Sequence, residues 1–177
     1  MGFTKLMKTL KLTANDFKQS DSYWKDYIGK EDVSNYEGHI EIDGNLGWVK
    51  FIRLGASGFI SASAGGGIEA GTAIEAGEGI EAGWGIEAGT GIKAGLSITC
   101  KLTLKINYNI FAGICYRRKY VSDEDKTITC GKFEGGKVEY GILKEIGLPT
   151  DKIAPKTLKG KKVKVEIDGE SYSATLD

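Results

Sequence analysis

Histidine is nearly absent from this sequence: His39 is the single one in 177 residues. A lone histidine outside any recognisable motif gives no nucleophile–histidine pair and no histidine metal cluster. An enzyme, a metal site and a cofactor are therefore not expected, and His39 reads as a partly exposed structural residue. The three cysteines, Cys100, Cys115 and Cys130, have no Cys-x-x-Cys spacing. They read as buried free thiols of a cytoplasmic protein, not as zinc ligands or a disulfide framework. No apolar run approaches the roughly 18 residues of a membrane span. The opening MGFTKLMKTLKL lacks a continuous apolar core, so no secretory signal is expected. Two prolines stand against 26 glycines. Glycine does not recur at every third position, which excludes collagen.

Half of the glycines fall between residues 55 and 95, where the chain reads GIEAGTAIEAGEGIEAGWGIEAGTGIKAG over 67–95. Isoleucine returns every sixth residue, at Ile68, Ile74, Ile80, Ile86, Ile92 and Ile98. The first four are followed by Glu-Ala-Gly and Ile92 by Lys93-Ala94-Gly95. A fixed period of six predicts a β-solenoid, in which short strands and turns alternate and the chain winds into stacked coils. Within a unit, Ile and Ala share one strand face and Glu takes the other. The glycines fall at corners that need positive φ or close backbone approach. Three six-residue sides give coils of about 18 residues stacked roughly 4.8 Å apart, so that Ile68 lies against Ile86, Ile74 against Ile92 and Ile80 against Ile98.

Weaker alternation extends the repeat to about 40–116, roughly four coils. The bulky Glu78 and Trp84, two positions before Ile80 and Ile86, favour a right-handed triangular coil. The expected fold is thus mainly β, in three parts. Residues 1–39 carry a strand over 4–12 and a capping helix over about 14–28, entered at Thr13-Ala14-Asn15-Asp16 with Phe17, Trp24, Tyr27 and Ile28 on one face. Residues 40–116 form the solenoid, its first two strands joined in hairpin fashion at Asp43-Gly44-Asn45. Residues 117–177 form a small α+β module with a short helix at ILKEIG and a final strand–turn–strand over Lys161–Leu176.

Charge is balanced overall but unevenly placed. No Lys or Arg occurs from Leu54 to Ile92, where Glu69, Glu75, Glu78, Glu81 and Glu87 stand. An acidic rod that imitates nucleic acid in a partner's basic channel is one reading; glutamates that keep a repetitive surface soluble is the other. At a spacing of 18, only Glu69 stacks on another acid, Glu87, while Glu75 meets Lys93 and Glu81 meets Thr99. The partner-binding candidates are Glu69, Glu78 and Glu87, with Trp84 as a corner aromatic of the interface-anchor type. Arg117, Arg118 and Lys119 form a secondary contact.

Units such as Gly85-Ile86-Glu87-Ala88-Gly89 resemble those of bactofilin-like polymer-forming β-solenoids over 67–98. The layout as a whole, an IEAG core between an expected aromatic N-terminal helix and the segment Thr127-Ile128-Thr129-Cys130-Gly131-Lys132, is similar to phage and mobile-element anti-CRISPR proteins that inhibit Cas9. That resemblance implies a non-enzymatic protein that binds the Cas9–guide RNA complex and blocks target DNA binding or cleavage. A structural or scaffolding solenoid is the alternative, and DNA binding through the basic C-terminal part a second one. The expected partner is a protein, without a membrane, and a homodimer is compatible with the open coil ends.

Overall fold

The computed structural model describes residues 7–21, 23–63, 65–149, 162–167 and 170–175. The Ile-x-Ala units at 74–76, 80–82, 86–88 and 92–94 are three-residue strands and the one at 68–70 ends a five-residue strand, each with its first and last side chains buried and its middle one facing outward. That is the alternation a pleated chain imposes when one face is apolar.

In chain order the strands are β1 (Lys8–Leu12), β2 (Phe17–Gln19), β3 (Trp24–Tyr27), β4 (Gly38–Ile42), β5 (Gly47–Phe51), β6 (Leu54–Ala56), β7 (Ile60–Ala62) and β8 (Gly66–Ala70). Then come β9 (Ile74–Ala76), β10 (Ile80–Ala82), β11 (Ile86–Ala88), β12 (Ile92–Ala94), β13 (Ile98–Cys100) and β14 (Thr103–Ala112). The last are β15 (Thr127–Cys130), β16 (Lys132–Tyr140), β17 (Ile142–Glu145), β18 (Lys162–Ile167) and β19 (Glu170–Thr175). The protein is mainly β, built on parallel sheets. One sheet runs β1-β4-β7-β10-β13-β15-β17. A second runs β2-β3-β5-β8-β11-β14-β12-β9-β6, with β16 also paired to β14. The ten-residue β14 bridges two columns, pairing with β11 through Leu104 and with β12 through Ile110. Three columns of parallel strands result.

Register follows the isoleucines. Ile68 pairs with Ile86 and Ile86 with Leu104; Ile74 pairs with Ile92 and Ile92 with Ile110; Ile80 pairs with Ile98. Each separation is the 18 positions that the sequence predicts. Nearer the N-terminus it widens to 20, as in Ile40 with Ile60 and Ile60 with Ile80. These side chains and the alanines beside them form a single buried cluster. Full burial of one such aliphatic side chain contributes about 1.5–3 kcal/mol.

The repeat glycines serve close approach and not a left-handed backbone. A Cβ on Gly89 would run into the carbonyl oxygen of Gly71, and one on Gly95 into that of Gly77. Positive φ occurs outside the repeat, at Gly44, Gly47 and Gly113 among others.

The helix expected over 14–28 does not form. Thr13 and Asp16 do make the expected local contact, the Thr13 N–H donating to Asp16 Oδ2 at 2.8 Å, but only a 3-10 turn over Ala14–Asp16 follows. The Asp21 carboxylate then accepts the Tyr23 and Trp24 N–H groups at 2.8 and 2.9 Å, a turn device that reverses the chain. Strands β2 and β3 pair antiparallel, Phe17 opposite Tyr27, and β3 adds to β5. Of the aromatic residues that suggested a helical face, Phe17 instead packs edge-on 5.7 Å from Tyr27 and 5.7 Å from Phe51 between ring centroids.

Two further expectations are corrected. The chain between β4 and β5 turns at Gly44, but the two strands join different sheets and do not form a hairpin. The short helix expected at 142–147 is strand β17, paired in parallel with β15. Ladder bonds to a neighbouring strand outweigh helix formation in a segment too short to repay helix nucleation. No helix among the described residues is long and apolar enough to cross a membrane. The C-terminal strand–turn–strand is present as the antiparallel pair β18 and β19, with the expected turn at 168–169 outside the described residues.

Candidate interaction surface

Outward-facing residues inherit the ladder register, so each column displays its own line of side chains. On the column of β3, β5, β8, β11, β14 and β16 that line is Asp26, Lys50, Glu69, Glu87, Lys105, Glu134. Glu69 and Glu87 are adjacent, as the sequence predicts. Lys50 binds Glu69 at 3.0 Å and Lys105 binds Glu87 at 2.5 Å. Hydrogen bonding to these carboxylates, and then their charge, raises both ammonium pKa values above the ordinary lysine value. The acidic pair is therefore neutralised from both sides.

Beside this column, the Trp48 ring lies over Gly67 and Gly85, where a Cβ would collide with it. It packs 5.0 Å from the Trp24 ring between centroids. Trp84 sits at the corner entering β11, 36% exposed. Glu78 stands at a different corner, the one leaving β9. Its backbone accepts the Leu96 N–H and donates to the Gly58 carbonyl. The sequence-predicted residues thus form two groups, with Glu69, Glu87 and Trp84 in one and Glu78 on the corner line of the basic cluster in the other.

That basic cluster belongs to an insertion. Ile98 of β13 pairs with Ile128 of β15, 30 positions on, so 12 residues beyond the usual 18 leave the stack between β14 and β15. The excursion starts at Gly113 with φ +88°. Its second half is self-satisfied. The Asp125 carboxylate accepts the Ser122 N–H and hydroxyl, which with Arg118 at 3.0 Å hold its pKa below the usual carboxylate value. Lys126 pairs with Asp123 at 2.7 Å. Its first half projects Tyr116, 81% exposed, and Tyr120, 78% exposed, with Arg117 and Lys119 between them. Arg117 lies over the Tyr116 ring, 5.5 Å from the centroid, and donates to Met7 Sδ at 3.2 Å. Arg118 is committed to Asp125, which leaves Arg117 and Lys119 as the projecting charges.

Sequence reasoning missed a groove next to this loop. One cavity of 170 Å³ is lined by Arg53, Glu75, Lys93, Ile114 and Tyr116, over a floor that includes Gly77 and Gly95. It adjoins a larger one of 850 Å³ lined by Tyr27, Val33, Phe51 and Ile52 with Asp26, Glu31, Asp32 and Lys50. Ser34 and Arg53 line both. The signal in the sequence was Ile52, an isoleucine beyond the end of β5 and off the buried alternation.

His39 is half-buried, as expected; its Nδ1 accepts the Phe59 N–H at 3.0 Å and its ring stacks on Phe59. The three thiols are free and buried. Burial pushes Cys100 up to about 12 and Cys130 up to about 11. No protein family matches this chain, and no curated protein or solved structure matches it.

Proposed function

We propose that this chain is a short, three-sided β-solenoid that acts as a rigid mount for a protein-binding surface. The eighteen-residue register supports the winding, and right-handedness is the hand that parallel crossover connections adopt. The reading of function is a non-enzymatic inhibitor of a nucleic-acid-handling enzyme, with the Cas9–guide RNA complex as the partner that the sequence resemblance implies. One observation carries the choice of a protein-binding role: the long insertion between β14 and β15 exposes Tyr116, Arg117 and Tyr120. Insertions on repeat scaffolds map to one face, often the binding face, and tyrosine and arginine are the residues over-represented among interface anchors.

This reading puts the contact on the loop and not on the glutamate column. Glu69 and Glu87 are satisfied by Lys50 and Lys105, so a nucleic-acid-like field is not what this face offers. Direct DNA binding is disfavoured on similar grounds. The loop carries Arg117, Arg118, Lys119 and Lys126 against Asp123, Glu124 and Asp125, and phosphate binding draws its strength from unneutralised cations. The test is complex formation by mass photometry with several purified Cas9–guide complexes. A one-to-one complex that weakens at least tenfold in the Tyr116→Ala/Arg117→Ala variant supports the reading. No complex with any of them at micromolar protein removes Cas9 as the partner.

A scaffold role has its own observation. Strand β17 is exposed along its length, its Ile142 and Leu143 and the Ile146 and Leu148 that follow it are open to solvent, and no described strand pairs with its outer edge; an apolar sheet edge of this kind invites pairing with another chain. Filaments or oligomers that grow with concentration in sedimentation velocity would favour that role over inhibition.

A further inference from the structure

The groove is polarised along its length. At its larger end the two cations are already spoken for, Lys50 by Glu69 at 3.0 Å and Arg53 by Glu75 at 2.5 Å. The acids that remain there are Asp26, Glu31 and Asp32. The Ser34 hydroxyl and N–H, which donate to Asp32 at 2.6 and 2.9 Å, hold its pKa below the ordinary value, so it stays an anion near neutrality. At the smaller end, Lys93 has no ion pair among the described residues, and Arg117 follows directly on the lining residue Tyr116. The larger end also carries the groove's apolar surface, Ile52, 86% exposed, beside Tyr27, Val33 and Phe51, and Ser34 and Arg53 join it to the smaller end.

Length fits an extended chain. From Ile52 at one corner, past β6, to Ser57 at the next is five residues, about 17 Å at the rise of a strand. That is the reach of about five residues of bound peptide, with side chains alternately facing the groove.

We propose that this groove takes an extended segment of a partner protein, seating a bulky apolar side chain against Ile52, with a basic residue toward Glu31 and Asp32 and an acidic residue toward Lys93 and Arg117. The pattern selects by charge order: the reversed arrangement sets like charges together at both ends, which costs binding free energy and speeds dissociation. The inference rests on a protein-binding role but not on Cas9 being the partner.

The experiment pans a displayed library of random twelve-residue peptides on the immobilised full-length protein, counter-selecting against Ile52→Asp. Because Ile52 is exposed, that variant keeps the core intact, and thermal unfolding of both proteins verifies it. Enriched peptides should carry one Leu, Ile, Phe or Trp flanked by a basic and an acidic residue in one fixed order. They should bind Ile52→Asp at least tenfold more weakly, and lose affinity again in Asp32→Lys and in Lys93→Glu. Peptides that bind Ile52→Asp equally well, flanking charges in no consistent order, or no enrichment would each overturn the proposal. Sedimentation provides a separate check: a wild-type dimer abolished by Ile52→Asp would mean that the groove is filled by a second copy, which also overturns it. Failure of Cas9 inhibition leaves a positive panning result intact, and the reverse also holds.

Discussion

Glu69 and Glu87 are register neighbours on adjacent strands, and each is held on its outer side by a lysine, Lys50 for the first and Lys105 for the second. Two carboxylates side by side repel. The column tolerates them because a cation stands at either end of the pair, so removing one lysine exposes the repulsion rather than merely deleting a contact.

A double-mutant cycle on Lys105→Ala and Glu87→Ala should therefore give a coupling of roughly 0.2–1 kcal/mol, as for a partly exposed pair, and the coupling should shrink in high salt. Its pH dependence is alkaline. The hydrogen bond to Glu87 raises the folded pKa of Lys105 above 10.5, so the contribution is fully present below that value and is lost as pH rises through the raised one. Urea unfolding of the four proteins at neutral pH and again at high pH measures both effects. Zero coupling at low salt would contradict this picture of the column.

The isoleucine ladder sets stability. Ile86 is fully buried between Ile68 and Leu104, and Ile86→Ala should cost roughly 2–5 kcal/mol. Gly89→Ala should destabilise as well, by about 1–3 kcal/mol, because its Cβ meets the Gly71 carbonyl in a corner with no room to yield. Trp84→Ala, at a corner where the ring is 36% exposed, should cost less than Ile86→Ala, about 1–2 kcal/mol. Thermal or denaturant unfolding ranks the three, and a corner glycine that accepts alanine without loss would refute the close-approach argument.

Thiol chemistry reports on the same core. Cys100 and Cys130 are buried, with pKa values pushed up to about 12 and about 11, and the thiolate is the reactive form. Native protein at pH 8 should react with a disulfide reagent far more slowly than unfolded protein, and Cys115, slightly more exposed, should label first. Rapid labelling of all three thiols without denaturant would show that the stack opens.

How much of this could be read in the sequence depended on whether a residue's neighbours repeat. Ile68, Ile86 and Leu104 fall into line because an eighteen-residue separation recurs, so period alone predicts the partner. Period also places Glu69 beside Glu87. It is silent on Lys50 and Lys105, which lie outside the IEAG units yet decide what the acidic pair presents. The segment 14–28 misled because Phe17, Trp24 and Tyr27 satisfy helical spacing as well as strand pairing. The turn chemistry of Asp21 was the local signal that decides between them. For the groove the sequence offered only the off-pattern Ile52, for a different reason. Arg53 and Lys93 meet Tyr116 only because the insertion folds back on the stack, and no local pattern encodes such a meeting.

The most direct test of the central claim is a plasmid-cleavage titration of several purified Cas9–guide complexes, with this protein added before target DNA. Inhibition should saturate near equimolar protein. Inhibition should persist when Glu69 and Glu87 are reversed to lysine together with Lys50→Glu and Lys105→Glu, and should be lost in Tyr116→Ala/Arg117→Ala. Full cleavage at large excess with every complex would contradict it, as would inhibition that survives the loop substitutions unchanged.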